Sequence, residues 1–217
     1  MISIEKLIEE AVRDNPKGWV LKAVRSGNRI SYEDVDINDI PKFINENIPK
    51  TYLEADITEE TEKLAQDAAN ENKGIYLHGP AGIGKTYLLY GLMRRRRLER
   101  ERCIFINVPM WLAELRQRMD GGINNHGLGL EFWINKDVTS NKIMFIDDMA
   151  VEKSTDWNDE ILYRLINYRS ENMLETHFAS NLTLQELSEK KGDRIASRVA
   201  GMVIPKLITG RDRRLSS

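Results

Sequence analysis

An α/β architecture, a parallel sheet flanked by helices, is predicted for most of this chain by three observations. The first is the run Gly79-Pro80-Ala81-Gly82-Ile83-Gly84-Lys85-Thr86, a complete G-x-x-x-x-G-K-[ST] loop preceded by the apolar triplet Ile75-Tyr76-Leu77. The second is the regular alternation of short apolar runs with longer helical patterns that follows it. The third is a second apolar run, Ile143-Met144-Phe145-Ile146, that ends in the acid pair Asp147-Asp148. With 217 residues the chain has room for one such domain and a short appendage, and not for two full domains.

The elements follow in order. Ile4, Leu7, Ile8, Ala11 and Val12 recur at helical spacing, and Asn15-Pro16 with Gly18 ends that helix. The apolar segment 19–24, the turn signal Gly27-Asn28 and the segment 29–32 predict a small hairpin. Pro41 and Pro49 mark a connecting stretch, so residues 1–48 read as an appendage with too few apolar residues for a core of its own. Residues 49–217 form the nucleotide-binding domain. It opens with a polar helix over 58–72, whose first turn (Thr58, Glu59, Glu60, Thr61) suits the positive end of a helix dipole. Strands are then predicted at 74–78, 103–108, 142–146 and 177–180, and helices at 85–97, 109–119, 156–171 and 184–190. Pro109 stands well in a first helical turn, where its missing N–H costs nothing. The stretch 120–141, with glycines at 121, 122, 127 and 129, reads as one long irregular loop and a candidate substrate-contacting element.

The glycine-rich loop carries the chemistry. Glycines at 79, 82 and 84 let backbone N–H groups turn inward around a β-phosphate, Lys85 bridges β- and γ-phosphates, and the Thr86 hydroxyl holds Mg²⁺. The helix that starts at Lys85 and continues through Tyr87 adds its positive end to the same site. An acid at the carboxyl end of a buried strand serves the metal, so Asp147 is the second expected Mg²⁺ ligand and Asp148 a candidate base for the attacking water. Asn181, at the tip of the strand 177–180, suits the orientation of that water, or else simply forms a turn. Arg194 and Arg198 lie four residues apart on one helical face. A guanidinium reaching the γ-phosphate accelerates phosphoryl transfer and is often donated by a neighbouring molecule, although such a pair also makes an ordinary solvated face.

Bulk properties exclude several classes. No apolar stretch approaches the roughly 18 residues that cross a bilayer, and the amino terminus is unlike a signal peptide, so a cytoplasmic protein with no membrane partner is expected. The single cysteine, Cys103, opens an apolar run and reads as a reduced core residue. The net charge of −2 hides an asymmetry: residues 1–72 hold 16 acids against 9 bases, and the remainder 18 against 23. A basic body is compatible with nucleic acid. Arg94 to Arg97 close the first core helix, where cations suit the dipole as a surface face; the alternative is phosphate contact together with Arg100, Arg102, Arg116 and Arg118. Trp111, Phe132 and Trp133 are candidates for stacking on bases, or for the core.

Taken together, the loop at 79–86, the run Ile146 to Lys153, the stretch Trp157 to Arg169, Ser180-Asn181-Leu182, Arg194 to Val199 and Gly210-Arg211-Asp212-Arg213-Arg214 resemble the DnaC/DnaI-type helicase loaders and their IstB relatives among the AAA+ ATPases. The resemblance covers roughly residues 48–214. It implies an AAA+ core without a full C-terminal lid, with ATP and Mg²⁺ as cofactors. It further implies self-association into a ring or spiral, a grip on single-stranded DNA, and a replicative DNA helicase as partner. Asn181 would take the sensor 1 position, Arg198 the trans-acting arginine finger, and Arg194 a supporting place. The cluster Arg213-Arg214 falls where a sensor 2 arginine is expected. Two departures stand out: the second acid is Asp148 where glutamate is common across AAA+ proteins, and the first 48 residues match no longer helicase-binding head. An IstB-like helper of a transposase and a non-hydrolysing ATP-binding adaptor remain alternatives; a small-molecule kinase is disfavoured by the paired acids and the two arginines.

Overall fold

The computed structural model describes residues 21–26, 29–34, 45–53, 55, 57–99, 101–120, 130–140, 142–210 and 212. The helix expected near the amino terminus, the turn at Gly27-Asn28, the glycines between 121 and 129, Arg100, Arg213, Arg214 and the Trp133 side chain lie outside the described residues. The rest falls into two compact units, one built from residues up to 65 together with 90–102, the other from 66–89 and 103–212.

In the first unit, strands β1 (Leu21–Ser26) and β2 (Arg29–Asp34) form the expected antiparallel hairpin, with Ser26 opposite Arg29. Helix α1 (Glu59–Glu71) begins in this unit, and helix α2 (Lys85–Leu98) ends in it. The arginine run in the last turns of α2 is not the solvated face that its sequence suggests. Arg94 is 1% exposed; it donates to the carbonyls of Ala55 and Leu53, while buried Arg97 donates to that of Glu46. Arg95 pairs with Glu62 and Glu99, and Arg96 with Glu99. Arg94 and Arg97 therefore staple the connector 46–55, because backbone carbonyls that leave water need donors, and Arg95 ties α2 to α1 through Glu62.

The second unit contains five parallel strands in the order β4-β5-β6-β3-β7: β3 (Gly74–His78), β4 (Cys103–Asn107), β5 (Ile143–Asp147), β6 (Thr176–Ser180) and β7 (Val203–Leu207). The register pairs Asn107 with Asp147 and His78 with both Ser180 and Leu207, so the carboxyl ends of the strands line up. Alternation along the strands sends Tyr76, Met144, Ile146 and Phe178 to one face. There they meet Trp111, Leu112 and Leu115 of α3 (Val108–Asp120), Ile134 of α4 (Leu130–Val138), Leu162 and Leu165 of α5 (Asp156–Glu171), Leu187 of α6 (Leu184–Lys191) and Val199 of α7 (Asp193–Met202). Trp111 is thus a core residue, its indole N–H donating to Asp137 at 2.9 Å. Phe132 stays exposed.

Two corrections concern regular structure. The stretch expected to be one irregular loop includes α4, whose Ile134 and Val138 are buried at helical spacing. The strand β7 is absent from the expectation because Pro205 interrupts its pattern; it lies at the sheet edge, where a missing N–H is tolerated.

Arg169 pins the opposite end of the sheet. Fully buried at the end of α5, it donates to Thr176 Oγ1 and to the carbonyls of Ser140, Lys142 and Glu175 at 2.7–2.9 Å, and burial pushes its pKa down to about 10. Replacing it with leucine strands three carbonyls, each left without its charged donor. Arg169→Leu is expected to lower stability by about 3 kcal/mol. The loss should appear as a lower urea midpoint with an unchanged slope; Arg164→Leu, which breaks the exposed pair with Glu131, should shift the midpoint far less.

Candidate functional site

The loop that leaves β3 is shaped by close approaches. At Gly79 the backbone φ is 144°, and a Cβ there would come within 2.3 Å of the Ile208 carbonyl oxygen. At Gly82 the φ is 78°, and a Cβ would meet the Asp212 carboxylate at 2.1 Å. At Gly79 the backbone carbonyl excludes a side chain, and at Gly82 the positive φ strains any other residue, which is the physical content of the glycines in the motif. The chain following β7 therefore runs against the loop, with Ile208 N–H donating to the His78 carbonyl at 2.8 Å.

Lys85 and Thr86 open α2, as the motif requires. The Lys85 ammonium is buried and donates to the carbonyls of Gly79 (2.8 Å) and Pro80 (2.7 Å) and to Asn181 Oδ1 (2.7 Å). Asn181 sits just past β6, so this contact joins the loop to the tip of a neighbouring strand. Thr86 Oγ1 donates to the Asp147 carboxylate, 3.2 Å from Oδ1 and 3.0 Å from Oδ2. The oxygens of an octahedral Mg²⁺ shell, at about 2.1 Å from the ion, lie about 3 Å apart when adjacent, so a hydroxyl and a carboxylate at this separation fit two neighbouring positions of that shell. Among the described residues there is no cluster of three or more His, Cys, Asp or Glu side chains that would hold a metal by itself.

Asp147 is 5% exposed, and its pKa is pushed up to about 6, first by burial and then by the adjacent Asp148 charge, with the Thr86 hydrogen bond opposing. Asp148 leaves the strand with φ 54°, a left-handed conformation that aspartate tolerates better than most residues, and Ala150 follows at φ 68°. The turn is fastened to β6: Met149 N–H donates to the Ala179 carbonyl at 3.2 Å, and Ser180 Oγ donates to the Met149 carbonyl at 2.8 Å. Asn107 is a site residue that the sequence reading missed. At the end of β4 it donates from Nδ2 to Asp148 Oδ2 (2.9 Å), while its Oδ1 accepts the Met110 N–H (3.3 Å) at the start of α3. Only the strand register reveals it, since Asn107 lies opposite Asp147.

The arginines of α7 belong to a different group of side chains. Arg194 and Arg198 both lie over the Tyr163 ring, at 4.3 and 5.0 Å from its centroid, and Arg198 Nε donates to Asn167 Oδ1 at 2.7 Å. Their partners are thus on α5, whereas Lys85, Thr86, Asp147 and Asn181 meet at the carboxyl ends of the strands. Arg116 likewise contacts α5, over Trp157 and donating to Asn158, rather than standing as a bare basic patch. Asp212 is the last described residue of the tail, so Arg213 and Arg214 receive no structural placement.

Sheet order, phosphate loop and strand-end acids together form a P-loop fold, a parallel sheet flanked by helices with the loop and the acids at the carboxyl ends of its strands. No family model matches the chain. It is 25% identical to the replicative helicase loader DnaI of Bacillus subtilis, over 66% of this chain and 48% of that protein. It is 22% identical to the replicative helicase loader DnaC of Escherichia coli, over 56% and 47% respectively. The chain spans about half the length of the curated relatives it matches. Among solved structures, a DnaI crystal structure superposes with a TM-score of 0.62 at 24% identity, covering 77% of this chain and 95% of that one. AMPPCP-bound DnaA from Aquifex aeolicus superposes with a TM-score of 0.60 at 20% identity, covering 78% and 54%. The structural likenesses show the AAA+ fold, and with the sequence likenesses the chain resembles the DnaC/DnaI-type helicase loaders. No described helix is long and apolar enough to cross a membrane.

The raised Asp147 pKa makes a signed statement about stability. The folded state holds the Asp147 proton more tightly than the unfolded chain, whose carboxyl ionises near 3.8, so ionised Asp147 destabilises the fold above pH 6 and ceases to do so as pH falls toward 4. Asp147→Asn is expected to raise the stability of the nucleotide-free protein by about 2–3 kcal/mol at pH 7.5, the gain shrinking between pH 6 and pH 4. Urea denaturation across that pH range checks it; a gain that does not depend on pH would refute the burial argument.

Proposed function

We propose that this chain is an ATP-dependent DNA replication protein of the cytoplasm that places a replicative helicase on single-stranded DNA through ATP-controlled self-association. The observation that carries the reading is the division within the second unit. Lys85, Thr86, Asp147 and Asn181 converge on one site, while Arg194 and Arg198 are displayed on α7 against Tyr163 and Asn167. A guanidinium held there suits the γ-phosphate of a neighbouring subunit, which would make hydrolysis depend on assembly. The likeness to DnaI and DnaC supports the helicase as partner, and the nucleotide analogue named for the DnaA relative supports ATP as ligand. When bound, Mg²⁺ would be held by Thr86 and Asp147 and would neutralise charge on the phosphates. Lys85 would exchange its carbonyl partners for phosphate oxygens, Asn181 would orient the attacking water, and Asp148 would accept its proton. Arg213-Arg214 would meet the nucleotide from the tail, and residues 1–48 would carry the partner-binding surface.

A second reading, an adaptor that holds ATP without turning it over, is favoured by one contact. Asp148 is shorter than the glutamate usual at its position and is already engaged by Asn107.

Phosphate release and nucleotide binding measured with single-stranded DNA and the replicative helicase separate these readings. Lys85→Ala should abolish nucleotide binding. Arg198→Ala should bind normally and lose about 10³-fold in turnover. An equimolar mixture of the two variants should recover activity, because each supplies what the other lacks. Normal hydrolysis by assembled Arg198→Ala would remove the finger assignment, and absence of turnover in the wild-type assembly would leave the adaptor.

A further inference from the structure

One hydroxyl at the sheet end serves two loops at once. Ser180, 1% exposed, donates to the Met149 carbonyl at 2.8 Å and accepts the Leu182 N–H at 3.1 Å. The first bond fixes the turn that begins with Asp148 in its left-handed conformation; the second closes the tip that carries Asn181. Leu182 is held from its other side as well, since its carbonyl accepts the Tyr76 hydroxyl at 2.9 Å. Tyr76 is fully buried in β3, the strand that leads into the phosphate loop, and burial pushes its phenol up to about 12, so it stays a neutral donor. Beyond the tip, Thr183 and Glu186 form a reciprocal capping box at the start of α6, which fixes the chain on that side. The backbone between Ser180 and Thr183 is thereby held at both ends, while the Asn181 side chain remains directed at Lys85.

We infer that Ser180, supported by Tyr76, is a positioning residue: its hydroxyl sets the Asp148 carboxylate and the Asn181 amide in one fixed relation, so that base and water-orienting group act on the same water. Neither residue contacts the phosphate loop through its side chain in the contacts described above, so neither contributes to holding nucleotide. Their effect belongs to turnover, and it runs through the relation between Asp148 and Asn181. A buried serine and a buried tyrosine would otherwise be costly choices at positions surrounded by apolar side chains. This inference rests on the ATPase reading given above.

The test is ATP turnover and ATP affinity in the full chain, assembled with helicase and single-stranded DNA, for wild type, Lys85→Ala, Asp148→Asn, Ser180→Ala, Ser180→Thr, Tyr76→Phe and the double variant Ser180→Ala/Asp148→Asn. Ser180→Ala is expected to keep wild-type affinity and lose about tenfold in kcat. Tyr76→Phe should lose less, Ser180→Thr should retain most activity through its hydroxyl, and the fold loss caused by Ser180→Ala should be clearly smaller in the Asp148→Asn background than in wild type. Wild-type turnover in Ser180→Ala overturns the inference, as does an equal fold loss in both backgrounds, which would mark the serine as merely structural. If instead Lys85→Ala or Asp148→Asn turns over ATP like wild type, or the wild type does not turn it over, the ATPase reading fails and the inference falls with it.

Discussion

The site depends on a buried ammonium group. Lys85 gathers two carbonyls of its own loop and the amide oxygen of Asn181 around one positive charge. The carbonyls of Gly79 and Pro80 turn toward the lysine. On the proposed reading a triphosphate would compete with those oxygens for the same cation. Binding would then exchange one set of oxygen partners for another, with Asn181 released from Lys85, and the tip of β6 would register nucleotide occupancy.

From that tip the constraint spreads through backbone contacts rather than through long side chains. Ala179 and Ser180 hold Met149, Met149 follows Asp148, and Asp148 accepts from Asn107, which in turn accepts the N–H of Met110 at the start of α3. Each link is short because the parallel register brings the strand ends level. A sheet in another register would need longer side chains to span the same groups and would hold them less firmly.

The helix-strand alternation, the phosphate loop and the acids at 147 and 148 were legible in sequence because each rests on local pattern: an apolar run, glycines at fixed spacing, a charge that ends a buried strand. Asn107 was not legible, since its role comes from lying beside Asp147 across a strand pair that sequence order does not announce. Arg94, Arg97 and Arg169 were misread or passed over for a related reason. A long cation in sequence looks solvent-seeking, yet its planar fork satisfies several carbonyls that would otherwise be buried without donors. The helix α4 was hidden by the glycines beside it, and β7 by Pro205. In each case a local breaker signal was stronger than the tertiary contact that overrides it.

Asp147 and Asp148 show why the strand end is arranged with such restraint. Two adjacent acids, one of them buried, repel each other, and the fold bears that cost in the nucleotide-free state. A cation between Thr86 and Asp147 would remove the repulsion and the burial penalty together, so on the proposed reading an ion and its nucleotide would be bound partly by relief of a cost already present in the protein. Asn107 and the Met149 turn fix the Asp148 carboxylate in place independently of any ion. On the proposed reading, position at this strand end would thus be set by the protein and local charge by the bound ion.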